Sequence, residues 1–165
     1  MKIFKDKKNS SHFNNLDIYC FCKEFSDLTE DELTSIKKIK SENFNKPNEE
    51  NSNSISISDH RSHHFLIFQN SKLLAYSRLV PPSFNFNKLT LERFCVAKDY
   101  RRKGISKILM ELVFKRSQSL YPQEPLNLSS LENTKKFYEK FGFFSNYLIY
   151  DKNGNPHHQM TKSFK

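Results

Sequence analysis

A chain of 165 residues is long enough for one hydrophobic core and short for two. Only 36% of it is hydrophobic, but 16 Phe and 7 Tyr supply large apolar faces, so composition excludes a disordered chain. The formal charge of +9 fits a solvated Lys/Asn/Ser surface or attraction to an anionic ligand, and scattered cations disfavour a nucleic-acid partner.

In chain order, residues 1–15 are polar and basic and read as a lead-in to a single domain covering 1–165. Leu16–Lys23 reads as an opening strand, in which Cys20 and Cys22 point to one side. With Cys95 they make an odd count without regular spacing, which argues against a disulfide framework and for a reducing, cytoplasmic setting. Thr29 and Glu32 have capping-box spacing and open a helix that carries Leu33, Ile36, Lys40 and Phe44 on one face. Pro47 helps to stop it. The Asn/Ser-rich stretch from Asn45 to Ser62 is expected to be a mobile surface loop rather than a short edge strand.

His64–Gln69 and Lys72–Val80 flank Asn70-Ser71 and predict a hairpin, and Leu89–Val96 predicts a further strand. Ile105, Ile108, Leu109, Leu112 and Val113 predict an amphipathic helix over Gly104–Ser119. Leu126–Leu128 predicts a short buried strand, and Leu131–Lys140 a helix closed by Gly142. Phe143–Tyr150 and His157–Thr161, joined by a turn at Asn153-Gly154, predict a closing hairpin. This order implies an α/β protein, more closely an α+β mixed sheet, rather than a doubly wound one. No signal peptide is recognisable and no run approaches ~18 apolar residues, so no membrane partner is expected.

The stretch with most chemistry is Arg101-Arg102-Lys103-Gly104-Ile105-Ser106, a basic turn between a strand and a helix. Its cations would neutralise phosphate, Gly104 would let the backbone approach closely, and the helix start would offer unpaired N–H groups. A plain strand-to-helix turn with exposed charges would look the same. It is neither a Walker loop nor a dinucleotide fingerprint, so ATP hydrolysis and nicotinamide chemistry are not indicated. The run Asp59-His60-Arg61-Ser62-His63-His64 contains metal-ligand types, but neighbours on an extended chain point apart and no metal is expected.

That turn resembles the acyl-CoA pyrophosphate loop of the GNAT superfamily of N-acetyltransferases, and Phe137-Tyr138-Glu139-Lys140-Phe141-Gly142-Phe143 resembles its later aromatic helix. Closest is the ElaA-like branch. Leu28–Leu33, His64–Leu66 with Leu74–Leu79, Arg93, and the segment Asp151–Met160 match its features in the correct order over roughly residues 25–162. Departures are Ser106 in place of glycine or alanine, a missing Glu-Gln pair after Phe44, and Asn133 out of register with the family's asparagine.

The resemblance implies a GNAT-like fold, with a mostly antiparallel mixed sheet flanked by helices, and acetyl-CoA as co-substrate. Phe94, Cys95 and Val96 would pair with the pantetheine arm, and the Val96 amide would stabilise oxyanion charge. Arg101, Arg102, Lys103, Gly104, Ile105 and Ser106 would hold the pyrophosphate, with Asn133 on the cofactor side. Tyr138 would be the general acid for the leaving thiolate. By period-two parity Glu92 shares a face with Phe94 and Val96 and is a candidate base, with His64 and His157 as alternatives, while Cys95 faces the other way as a buried thiol. His64, Arg78 and His157 are candidates for the acceptor side. Phe137, Phe141 and Phe143 are assigned to the core.

The expected reaction is acetyl transfer to a primary amine, on a small molecule or a protein, by direct attack. The alternative is a CoA-binding or interaction module on the same fold without transfer. An exposed aromatic strand edge makes a homodimer a further expectation.

Overall fold

The computed structural model describes residues 18–44, 55–82 and 87–164. Seven strands form one sheet in the order β1-β2-β3-β4-β5-β7-β6. They are β1 Ile18–Glu24, β2 His63–Gln69, β3 Lys72–Val80, β4 Thr90–Val96, β5 Leu126–Leu131, β6 Phe144–Tyr150 and β7 Pro156–Lys162. All neighbours run antiparallel except β4 and β5, which are parallel. The helices are α1 Glu30–Phe44, α2 Ile57–Arg61, α3 Ile105–Leu120 and α4 Glu132–Glu139.

Local chemistry accounts for the helix ends. The Thr29 amide donates to Glu32 (2.9 Å) and the Glu32 amide to Thr29 Oγ1 (3.2 Å), the reciprocal pair the spacing predicts. Glu30, Asp31 and Glu32 complement the positive end of the helix. Lys23 also reaches Glu32 at 2.7 Å, tying β1 to α1. Beyond α4, Gly142 (φ 82°) turns the chain so that the Phe143 amide donates back to the Tyr138 carbonyl (3.2 Å) and the Gly142 amide to Glu139 (2.9 Å). A side chain there would also meet Lys162 Nζ at 2.8 Å.

The stretch expected as a loop over 45–62 is corrected at its C-terminal end. Ser56 and Asp59 cap each other, with Ser56 N–H to Asp59 Oδ2 at 2.8 Å and Asp59 N–H to Ser56 Oγ at 3.3 Å, and a five-residue helix follows. The Ser-x-x-Asp spacing was the available signal, hidden in a serine-rich run. Residues 45–54, with Pro47, lie outside the described residues, as does the lead-in 1–15.

Helix α3 packs on β2, β3 and β4, burying Ile105, Leu109, Met110 and Val113 against Phe65, Ile67, Leu79 and Leu91. Each such side chain contributes roughly 1.5–3 kcal/mol by leaving water. Cys20 and Cys22 pack on this same core, as the strand parity predicts. The opposite face of β3 and β4 meets α1 through Ile36, Ile39, Tyr76 and Cys95. Helix α4 lies on β5 and β7. Among the described residues no helix is long and apolar enough to cross a membrane.

Candidate active site

The two parallel central strands touch at a single pair, Thr90 with Asn127, and part beyond it. Parallel strands diverging from one bridge leave the backbone of β4 without a neighbour on one side. Ala97 N–H donates to the Leu74 carbonyl at 2.8 Å, so the adjoining pair Ala75–Val96 is the non-bonded one. The Val96 N–H and C=O therefore point away from β3, into the gap. Its carbonyl accepts from Arg101 Nε at 3.2 Å.

One residue of β4 breaks the alternation. Tyr76 pairs with Cys95 and Arg78 with Glu92, so two steps on β3 oppose three on β4. Arg93 takes up the extra residue at φ 54°, a bulge in left-handed conformation. The expected parity is thereby overturned: Glu92 does not share a face with Phe94 and Val96. It lies with Cys95, Tyr76 and Arg78 on the α1 side, and the expectation that Cys95 faces away from Glu92 falls with it. Cys95 does face away from Phe94 and is buried, and burial pushes its thiol up to about 12.

On that face a chain of charges is closed on itself. Arg78 donates to Asp59 Oδ1 at 2.5 Å and, from Nε and Nη2, to Glu92 Oε2 at 3.0 and 2.5 Å. Lys40 stands 3.9 Å from Asp59. Burial alone would raise the Asp59 carboxyl, but the Ser56 amide, Arg78 and Lys40 together hold it below the usual carboxylate range. His64 spans Tyr76 Oη (2.9 Å) and the Asp59 carbonyl (2.9 Å), and burial lowers its proton affinity. Glu92 is the half-open end of this network, and its Oε1 has no hydrogen bond among the described residues. Nothing in the sequence pairs Lys40 with Asp59, since they lie 19 residues apart and meet only through the packing of α1 and α2 beside β3.

On the opposite face, Tyr138 projects from α4 against Phe94 of β4, their ring centroids 6.1 Å apart, with Phe137 at 5.0 Å and Phe143 at 5.9 Å. Burial, with a smaller contribution from Cys95, pushes the Tyr138 hydroxyl up to about 12. It stays protonated at neutral pH and has no hydrogen-bond partner among the described residues. Phe143 is buried, and Phe137 and Phe141 pack partly buried on the same core.

The basic turn opens α3. Arg102 (φ 61°) and Gly104 (φ 81°) are both left-handed, and no side chain caps the helix start. The turn's exposed face carries Arg102, Lys103 and the first amides of α3, with Ser106 half-buried in its first turn. Lys103 sits over the Tyr100 ring at 5.2 Å, and buried Ile105 anchors the turn in the core. Arg101, also exposed, donates to the Val96 carbonyl and reaches Asn43 Oδ1 at 2.7 Å, bracing the turn against the end of α1. Asn133 is exposed in the first turn of α4.

The structure does not bring the three acceptor-side candidates together. His64 and Arg78 are paired across β2 and β3, whereas His157 is on β7, beyond β4 and β5. His157 instead meets Ser129 Oγ at 3.3 Å and Asp151 Oδ2 at 3.6 Å. Among the described residues no group of three or more His, Cys, Asp or Glu side chains is arranged to hold a metal ion.

A mixed sheet split between two parallel strands, with an uncapped basic helix start beside the split, is the architecture of acyl-CoA N-acyltransferases. A sequence profile of the acetyltransferase (GNAT) domain matches residues 24–164, and the chain belongs to that family, which transfers acyl groups from acyl-CoA to amines. It is similar to Protein ElaA of Escherichia coli K12, 25% identical over 99 residues that span 60% of this chain and 65% of that protein. The crystal structure of E. coli ElaA superposes with a TM-score of 0.77 at 21% identity, over 88% of this chain and 99% of the other. An acyl-CoA N-acyltransferase from Pseudomonas aeruginosa gives a TM-score of 0.78 at 24% identity, over 88% and 99%. An aminoglycoside 6'-N-acetyltransferase complexed with coenzyme A gives 0.70 at 14% identity, over 86% and 96%.

Proposed function

We propose that this protein transfers the acetyl group of acetyl-CoA to a primary amine by direct attack. The observation that carries the reading is the gap between β4 and β5, into which the Val96 N–H and C=O point beside the uncapped start of α3. An extended pantetheine arm can pair along Phe94–Val96 as an added strand, with the Val96 N–H placed for the thioester oxygen. The pyrophosphate falls to Arg102, Lys103, Gly104, Ile105 and Ser106, while Arg101 braces the turn from behind. Asn133 completes the cofactor side. Phe94, Phe137 and Tyr138 fill the space beneath the gap, which supports an acyl chain as short as acetyl.

Tyr138 serves the sulfur. With its hydroxyl raised to about 12 it is a hydrogen-bond donor through neutral pH, and it yields its proton only as thiolate charge develops against it. Glu92, on the other face of the split, draws an ammonium group to the mouth through its unengaged Oε1 and takes its first proton. Arg78 holds Glu92 in place, and His64 braces the Asp59 backbone and Tyr76 behind it. A small molecule or a protein chain can present the amine. The odd count and irregular spacing of Cys20, Cys22 and Cys95 support a reducing, cytoplasmic setting. The exposed apolar edge β6 supports pairing of two copies, which sedimentation at two concentrations tests.

Calorimetric titration with acetyl-CoA, with Gly104→Glu as the blocked control, tests the cofactor site. Micromolar binding lost in the control is expected, and no binding to the unaltered protein defeats the reading. Tyr138→Phe should then bind acetyl-CoA normally and lose about 100-fold in kcat with a panel of amines. Binding without any turnover would leave the CoA-holding module instead.

A further inference from the structure

The register of the single bridge between β4 and β5 places more than Glu92 at the mouth of the gap. Thr90 pairs with Asn127, so Glu92 and Ser129, each two residues further on, face each other across the split on the same side of the sheet. Ser129 is exposed there. Its Oγ accepts from Gln159 Nε2 at 2.8 Å, which leaves the hydroxyl proton for His157 Nδ1 at 3.3 Å. The other ring nitrogen, Nε2, is buried without a hydrogen-bond partner among the described residues and lies 3.6 Å from Asp151 Oδ2.

Asp151 is itself held. Its Oδ1 accepts from the amides of Asn153 (2.8 Å) and Asn155 (2.9 Å), and Asn155 Nδ2 reaches both oxygens. The β6–β7 turn therefore fixes a carboxylate behind the imidazole, the imidazole behind a hydroxyl, and the hydroxyl at the lip of the split. A hydroxyl backed by an imidazole and an oriented carboxylate can pass a proton inward without moving a heavy atom. Contacts of 3.3 and 3.6 Å are loose, as such contacts are before a substrate closes the site.

We propose that Ser129, His157 and Asp151 form a proton relay that receives the second proton of the acceptor amine. This rests on the transferase reading above. An ammonium acceptor must lose two protons. The first goes to Glu92 and on to solvent, leaving a neutral amine. As the C–N bond forms beside Val96, the nitrogen passes its surplus proton through solvent in the gap to Ser129 Oγ, whose own proton moves to His157 Nδ1. As the C–S bond breaks, the sulfur takes a proton from Tyr138. The imidazolium, facing the Asp151 carboxylate, returns one proton through solvent to Tyr138. One amide, one thiol and one released proton result, and the electrons balance. Ser129 is the solvent-facing member of the relay, and His157 and Asp151 are the residues that position it.

The test compares the unaltered protein with Ser129→Ala, His157→Gln and Glu92→Gln, using acetyl-CoA with n-butylamine or with hydroxylamine, which is already neutral at the assay pH. Ser129→Ala and His157→Gln should each lose about 100-fold in kcat with both amines at unchanged KM for acetyl-CoA. Glu92→Gln should lose activity with n-butylamine alone. Added imidazole should restore His157→Gly. Nitrogen-15 shifts of the resting His157 ring should show Nε2 protonated and Nδ1 bare. A protonated Nδ1, a His157→Gln protein with full kcat, or an acetyl group retained on Ser129 overturns the relay while leaving the transferase. Unaltered protein that binds acetyl-CoA yet acylates no amine overturns the transferase reading, and the relay with it.

Discussion

Strands β2 and β3 are buried on both faces, whereas β6 turns Phe144, Tyr147, Leu148, Ile149 and Tyr150 toward water, each more than 40% exposed. The two halves of one sheet thus solve different problems. The β1–β4 half encloses four charges, Lys40, Asp59, Arg78 and Glu92, and keeps them only because each cation meets a carboxylate. Among the described residues the β5–β7–β6 half has no such enclosure on the side that carries Ser129 and His157, and its polar groups answer to the gap and to solvent. The gap runs between a lip that is rigid through burial and a lip that is open to solvent.

Breaking the buried half gives the largest effect. Arg78→Ala strands Asp59 in the interior and frees Glu92, and we expect a loss of about 3–5 kcal/mol in denaturant unfolding. A loss under 1 kcal/mol would mean that the network contributes little to the rigid lip.

Acid should sharpen the contrast next. Burial lowers the proton affinity of His63, with Arg116 adding to it, and of His64. Their folded values lie below the unfolded value of about 6.5. The unfolded chain then binds more protons within that window, so this stability is fully present above about pH 6.5 and drains away as pH falls through it. Asp59 adds the same sign in a lower window, beneath the usual carboxylate value of about 3.9. Thermal melts should be flat from pH 8 to 7 and fall toward pH 5. A Tm that rises on acidification would contradict the buried neutral histidines.

The open half should barely respond. Ile149→Thr on β6 is expected to change unfolding free energy by no more than about 0.5 kcal/mol. A loss above 2 kcal/mol would show that β6 is covered in solution, by a second copy or another chain.

Much of this was legible in advance because it is local. The Thr29–Glu32 cap, the Asn70-Ser71 hairpin turn, the α3 stripe and the Gly142 stop each depend on a few neighbouring residues, and each is found. The strand expected over Leu126–Leu128 extends to Leu131, because Ser129 and Ser130 resemble loop and gain strand geometry only from pairing with Gln159 and His158. The α2 helix is not legible in sequence because five residues carry too little periodicity.

The amino-acid sequence by itself determined the order of the elements, the caps, the basic turn before α3 and the aromatic helix end at Tyr138. Only the tertiary structure decided which way Glu92 faces and what stands opposite it. Side-chain parity follows sequence while strands pair one to one, and a single bulge at Arg93, set by the match of β4 to β3, reverses it. Ser129, Asp151 and His157 come from three chain segments that meet only through the register of β5 with β7 and the turn that joins β6 to β7.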